Sequence, residues 1–248
     1  MRWAMLLSAP ALVLVAVVSC SLLGTGRAAE SEEQDEAYYA RLRNQMVDRF
    51  ISEGWLREER VIAAMRAVPR HLFVPPSERD RAYLDTPLPI GHGQTISAPS
   101  IVAIMTELLQ PKPEQVILEV GTGSGYQAAV LAKLVKHVYT IEIVTELAEI
   151  AKKRLSELHF ENVSVKAGDG YRGWPDYAPF DGVIVTCAPT NIPAPLIEQL
   201  KEGGRMVIPV GETGVQELYL LVKEEGKIVK RAVLPVLFVP MTGEAERK

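Results

Sequence analysis

The chain has 248 residues, with 27 Lys and Arg against 31 Asp and Glu and a formal net charge of −4. That length suits one α/β domain with additions and a sizeable core. Without a lysine or arginine run the balance excludes a broad nucleic-acid footprint and leaves only a local basic groove open, so no nucleic-acid partner is expected.

Arg2 precedes a largely apolar stretch over 4–23, the pattern of a secretory signal. Val17, Val18, Ser19 and Cys20 resemble a bacterial lipoprotein cleavage box, in which Cys20 would be acylated and become the mature N-terminus. Cleavage after Ala28 is a second exported reading, and an over-extended start in front of a cytoplasmic enzyme is a third. Uncleaved, the run up to Gly24 is long enough to cross a membrane. Membrane anchoring therefore rests on 1–29 alone. Residues 30–37 are acidic and polar and read as a solvated linker. The folded domain is assigned to 38–242, with a polar tail over 243–248. With Cys20 lipidated or removed, Cys187 has no disulfide partner, and no metal-ligand cluster is present.

Leu42, Met46, Phe50 and Ile51 are spaced for one face of a helix over 38–52. A second helix is predicted over 58–68, with Val61, Ile62 and Met65 inward and Pro69 ending it. Residues 70–88 are proline-rich and read as irregular, with His71 a structural hydrogen-bonding residue. The stretch 89–99 places Gly91, Gly93 and several hydroxyl or amide side chains just before a helix over 100–109. It reads either as a loop that closes over a ligand or as a capping turn with Ser97 or Ser100 at the N-cap.

Val116, Ile117, Leu118, Glu119 and Val120 form a short apolar run that reads as a buried strand, and Gly121, Gly123 and Gly125 follow it. A helix over 128–138 would then put amide groups at the carboxyl edge of a parallel sheet, where open α/β folds bind ligands. Tyr126 stands where a dinucleotide fingerprint needs its third glycine, and no P-loop motif is present. What remains is a glycine turn with one acid before it, Glu119, and another, Glu142, closing the strand 137–142. An acid about 20 residues past the turn is suited to accept hydrogen bonds from both ribose hydroxyls.

Further on, a helix is predicted over 146–158 with Leu147, Ile150, Ala151 and Leu155 inward, followed by a strand over 163–166 ending near Gly168 and Asp169. Asp181 begins a strand over 182–186, 192–200 reads as a helix stopped by Gly203 and Gly204, and 205–210 as another strand. The runs 217–224 and 228–238 are too close for a crossover helix and read as an antiparallel hairpin on the far side of the sheet. The expected fold is α/β, a doubly wound Rossmann-like mostly parallel sheet with N-terminal helices and a C-terminal antiparallel β-hairpin.

The glycine turn with its two acids resembles class I S-adenosylmethionine-dependent methyltransferases. Taken together, Ile90 and Gly91 through Thr95, Ile96, Ser97, Ala98 and Pro99, the 118–125 loop, Gly168-Asp169-Gly170, Pro179-Phe180-Asp181 and 200–205 occur in the order seen in protein-L-isoaspartate O-methyltransferases. The similarity runs over 38–242, and the Gln94 to Pro99 segment is its most family-specific part.

The resemblance implies transfer of a sulfonium methyl from S-adenosyl-L-methionine, as cosubstrate and without a metal, to the free α-carboxylate of L-isoaspartyl residues in damaged proteins and peptides. By that carry-over Ser97 is the catalytic position, a hydrogen-bond donor rather than a nucleophile. Gln94, Thr95, Ile96 and Thr242 belong to the substrate side. Glu119, Gly121, Gly123, Glu142, Ile143, Gly168 and Asp169 belong to the cosubstrate, the last near its adenine. A cytoplasmic monomer is expected, since the cosubstrate is made in the cytoplasm, against the exported or lipid-anchored alternative. Two other readings stand beside this one: a methyltransferase for a small molecule or RNA, and a noncatalytic envelope-anchored binding protein. Cys187, where a small residue is expected, and the export-like N-terminus keep the last one open.

Overall fold

A computed structural model of the chain describes residues 18–247. The expectation of a signal or lipoprotein segment over 1–29 lies largely outside the described residues, which begin inside helix α1, Val18–Ser52. Among the described residues no helix is long and apolar enough to cross a membrane. Residues 30–37, expected as a linker, are part of α1. Glu, Gln and Ala are strong helix formers, so an acidic composition that suits a solvated coil also suits an exposed helix.

The chain divides into two units, 1–41 and 42–248. In the first, Tyr38 and Tyr39 meet edge to face at 5.3 Å and the Arg41 guanidinium lies 5.5 Å from the Tyr38 ring. The second unit carries a seven-stranded sheet. Its strands are β3 (Val116–Val120), β4 (His137–Glu142), β5 (Val163–Ala167), β6 (Phe180–Val185), β7 (Leu200–Glu212), β8 (Val215–Glu224) and β9 (Lys227–Val236), in the order β5-β4-β3-β6-β7-β8-β9. The pairs from β5 to β7 are parallel, and β7-β8 and β8-β9 are antiparallel. The expected mostly parallel sheet with a C-terminal antiparallel pair is thus the observed one. Leu118, Val120, Ile141, Val183, Val185, Met206 and Ile208 are buried in one cluster, as fully covered parallel strands require.

The chain leaves β3 for β4 and β5 on one side, then returns to β6 on the other. That reversal opens a crevice at the carboxyl ends of β3 and β6, the place where such sheets bind ligands.

Helix α2 (Glu59–Ala67) begins where the Glu58 carboxylate accepts from Val61 N at 2.8 Å, and it ends before Pro69. Residues 70–88 contain two short 3-10 turns, Arg70–Phe73 and Pro76–Arg81. There His71 is buried with Nδ1 2.8 Å from the Tyr83 hydroxyl, in keeping with a structural role. The stretch 89–99 is not an open loop. It forms a small antiparallel hairpin, β1 (Leu88–Gly91) and β2 (Gln94–Ile96), turning through His92 at φ +52°. Helix α3 (Pro99–Leu109) has Ala98 at its N-cap, with neither Ser97 nor Ser100 capping it. The free amide of Ser100 is taken instead by Asp85 Oδ1 at 2.9 Å, from outside the local sequence.

Helix α4 is Tyr126–Ala132, shorter than the predicted 128–138, because Lys136 N turns to bond Gln115 O and His137 already belongs to β4. In α5 (Thr145–Glu157) Leu147, Ala151 and Leu155 are buried, whereas Ile150 is 44% exposed. The helix predicted over 192–200 shrinks to α6, Ala194–Glu198, and Leu200 is already in β7. Gly203 and Gly204 therefore do not cap a helix; they lie in an irregularity of β7, where the register with β6 passes from Phe180↔Leu200 to Gly182↔Arg205.

Between β5 and β6 no helix covers the sheet. Two 3-10 turns, Gly170–Arg172 and Pro175–Tyr177, carry rings over it instead. Tyr139 stacks on Tyr177 at 4.1 Å, Trp174 meets Tyr139 edge-on at 5.4 Å, and Lys166 Nζ lies 5.0 Å from the Trp174 ring. After β9 the chain does not trail off. Residues read as a polar tail form a 3-10 turn, Gly243–Arg247, with Ala245 buried.

Candidate active site

The crevice holds a recess that is partly open to solvent. Gln94 and Thr95 of β2, Gly121 and Gly123 of the glycine turn, Glu142 at the end of β4 and Ile143 after it, Thr186 and Cys187 after β6, and the stretch from Val239 to Thr242 line it. A second, adjoining space is lined by Ile96, Ser97, Val102, Ser124, Tyr126 and Gln127. The two share Thr95, Gly121, Gly123 and Thr186 as walls.

The glycine turn is fixed from below. Gly121 N donates to Ile141 O at 2.8 Å, and Thr186 Oγ1 donates to Gly121 O at 2.5 Å. Residue 121 has φ +97°, and a β-carbon there would collide with the Thr186 hydroxyl, so only glycine fits. Glu142 is buried at the tip of β4, its Oε2 accepting from Gly123 N at 2.8 Å and its Oε1 from Val144 N at 3.0 Å. Two amide donors aim it along the turn, with lone pairs left for a ligand diol.

Glu119 lies elsewhere. It is fully buried beneath the turn and does not line the recess. Thr140 Oγ1 donates to its Oε2 at 2.5 Å and is itself 2.6 Å from Thr122 Oγ1, while Glu119 Oε1 has no hydrogen-bond partner among the described residues. Burial, reinforced by the Glu142 charge and only partly offset by the Thr140 bond, pushes its pKa up to about 8. At neutral pH the group is therefore mainly a neutral acid supporting the turn.

Asp169 also stands behind the lining. Its Oδ1 accepts from Tyr171 N at 2.9 Å and its Oδ2 from Glu244 N at 2.8 Å. Gly168 N donates to Glu142 O at 2.8 Å, tying this corner to β4, and Gly170 rather than Gly168 or Asp169 reaches the recess. Cys187 lines the recess as a thiol: burial first, then the Glu142 and Asp169 charges, push its pKa up to about 12. A thiolate there would be a strong competing nucleophile, and this environment suppresses it.

Of the residues singled out from sequence, Gln94, Thr95, Gly121, Gly123, Glu142, Ile143 and Thr242 come together around the main recess. Ser97 and Ile96 lie in the adjoining space. Thr186 and Gly170 were not anticipated; the position of Thr186, directly after the strand next to β3, was the available clue. Among the described residues no three His, Cys, Asp or Glu side chains gather as metal ligands would. The recess fits an adenosyl sulfonium compound: a close-approach turn, an amide-held carboxylate, and apolar Ile143, Val239 and Met241 for a flat base.

Known proteins agree with this geometry. Residues 41–246 match the family model described as protein-L-isoaspartate(D-aspartate) O-methyltransferase. A protein-L-isoaspartate O-methyltransferase of Hyperthermus butylicus is 52% identical over 223 residues, covering 85% of this chain and 92% of the relative. Protein-L-isoaspartate O-methyltransferase 2 of Syntrophobacter fumaroxidans is 57% identical over 188 residues, 75% of this chain and 76% of its own. Among solved structures, a Plasmodium falciparum enzyme of the same description, in complex with S-adenosyl-L-homocysteine, superposes with a TM-score of 0.72 at 26% identity, covering 81% of this chain and 98% of that one. With a family model spanning most of its length and relatives above half identity, the chain belongs to the protein-L-isoaspartate O-methyltransferases.

Proposed function

We propose that the protein transfers the methyl group of S-adenosyl-L-methionine to the free α-carboxylate of L-isoaspartyl residues in damaged proteins and peptides. The observation that carries this reading is the pair of adjoining spaces that share Thr95, Gly121, Gly123 and Thr186 as walls. One suits the methyl donor, the other a small charged acceptor beside Ser97.

The donor supplies an activated methyl on a positive sulfur. The acceptor needs no activation, because a carboxylate with an ordinary pKa near 4 is already ionised at neutral pH. The carboxylate oxygen attacks the methyl carbon in line, the carbon–sulfur pair stays on sulfur as a thioether, and no proton moves. What the chain contributes is alignment and exclusion of water. Ser97 is read as donating its hydroxyl to the carboxylate, Gln94 and Thr95 as shaping the hairpin that presents it, and Thr242 as facing the peptide. Gly121, Gly123, Glu142 and Ile143 are read as holding the donor, with Glu119 and Asp169 supporting from behind. His92 on the exposed hairpin turn and His71 bonded to Tyr83 do not form a base for Ser97. The ester then closes to a succinimide without the enzyme and reopens partly as normal aspartate, a repair.

The test is methyl transfer from labelled S-adenosyl-L-methionine to an isoaspartyl peptide, with the matching aspartyl peptide as control. Labelling of the first alone is expected; equal labelling, or none, refutes the reading. Supply of the donor favours a cytoplasmic protein.

A further inference from the structure

The turn Gly243–Arg247 follows Thr242, the last residue of the recess wall, and packs against Asp169 and Ile143. Glu244 N donates to Asp169 Oδ2 at 2.8 Å, and Arg172 Nε donates to Glu244 Oε2 at 2.6 Å. Gly243, at φ +86°, approaches so closely that a β-carbon would come within 2.6 Å of Asp169 Oδ2 and 2.8 Å of Ile143 Cδ1. Ala245 and Met241 are buried in the sheet's core cluster. Just upstream, Met241 N donates to Ala188 O and Ala188 N to Val239 O, each at 2.8 Å. The wall from Val239 to Thr242 is thus held at both ends, by Ala188 on one side and by Asp169 and Arg172 on the other.

From this geometry we infer that Gly243, Glu244 and Arg172 are positioning residues that clasp the purine end of the methyl donor's site. The inference rests on reading the recess as that site. The Glu244 amide and the Tyr171 amide lock the Asp169 carboxylate in one orientation behind the recess wall, so that it backs the turn at Gly243. The Arg172–Glu244 pair holds the turn against Ile143, whose side chain lines the recess. Loosening the clasp leaves the reacting atoms untouched and shortens the ligand's residence, so its effect falls on the dissociation rate.

The test uses the full chain and S-adenosyl-L-homocysteine as probe, with Arg172→Glu, Glu244→Arg and the double reversal. Each single reversal is expected to weaken binding about two- to fivefold, the range of a solvent-screened pair, through a faster off-rate. The double variant returns toward wild type. In turnover the loss falls on KM for the donor, leaving kcat and the peptide KM in place. Gly243→Ala, which forces the turn outward, weakens binding by roughly tenfold or more; thermal melts check that each variant is folded. Single reversals that bind as tightly as wild type, or a double reversal no better than the worse single, overturn the clasp while wild-type binding leaves the donor site standing. A wild type that does not bind the probe overturns the donor site and the clasp with it.

Discussion

The Thr186 hydroxyl donates to the Gly121 carbonyl at 2.5 Å and fills the space that a β-carbon on residue 121 would need. The carboxyl ends of β3 and β6 are therefore locked together at the crevice, and the turn has no room to accept a side chain. Gly121→Ala combines that collision with a positive φ, a strain on the order of 1–3 kcal/mol. It should weaken S-adenosyl-L-homocysteine binding at least tenfold, about 1.4 kcal/mol, by calorimetry. Wild-type affinity in a folded variant would mean the turn does not contact the ligand.

Ser97 lies in the space next to the recess, not in it. Removing a hydrogen bond to a charged group costs about 1.5–3 kcal/mol, so Ser97→Ala should lower kcat/KM for isoaspartyl peptide roughly ten- to a hundredfold. Donor affinity should stay within about twofold, since the donor's walls are unaltered. Full turnover in the variant excludes Ser97 as the carboxylate's anchor.

Glu142 is already bonded to two main-chain amides. Glu142→Ala should weaken donor binding about tenfold or more, both by losing the diol acceptor and by freeing Gly123 N and Val144 N. Glu142→Gln, which keeps one carbonyl oxygen, is expected to fall between. An isotherm for Glu142→Ala that overlays the wild type removes the ribose assignment.

Glu119 couples stability to pH. Its folded pKa of about 8 lies above the ordinary 4.5, so the folded state holds a proton that the unfolded chain gives up. Its contribution is fully present below about 4.5 and is lost as pH rises through about 8. Thermal melts of wild type should lose ground to Glu119→Gln across that window, since the amide stays neutral throughout. Parallel profiles for the two proteins would show that Glu119 is not protonated in the fold.

Much of this was legible in the chain itself. The β3 run, its glycines and Glu142 carried both the fold and the donor side, because a buried strand followed by a strained turn has few sequence solutions. The hairpin around His92 was not, since a histidine between two glycines reads equally as loop or turn. Lys133 to Lys136, and Gln199 with Leu200, left the predicted helices for bonds to Gln115 and Phe180 that no local pattern encodes. The burial of Glu119 and the anchoring of Asp169 by Glu244 depend on partners 21 and 75 residues away, beyond any spacing rule.

The rings that roof the sheet where a helix is missing have an optical consequence. Trp174 follows the Gly170–Arg172 turn after a single glycine, its own amide held by Gln199 Oε1 at 2.8 Å and its indole facing Tyr139 and Tyr177. The protein thus carries a native fluorophore wired to the corner that Asp169 and Gly243 build, with two tyrosines as energy donors. Binding of S-adenosyl-L-homocysteine is expected to change the emission of unlabelled protein, and Trp174→Phe to abolish that change.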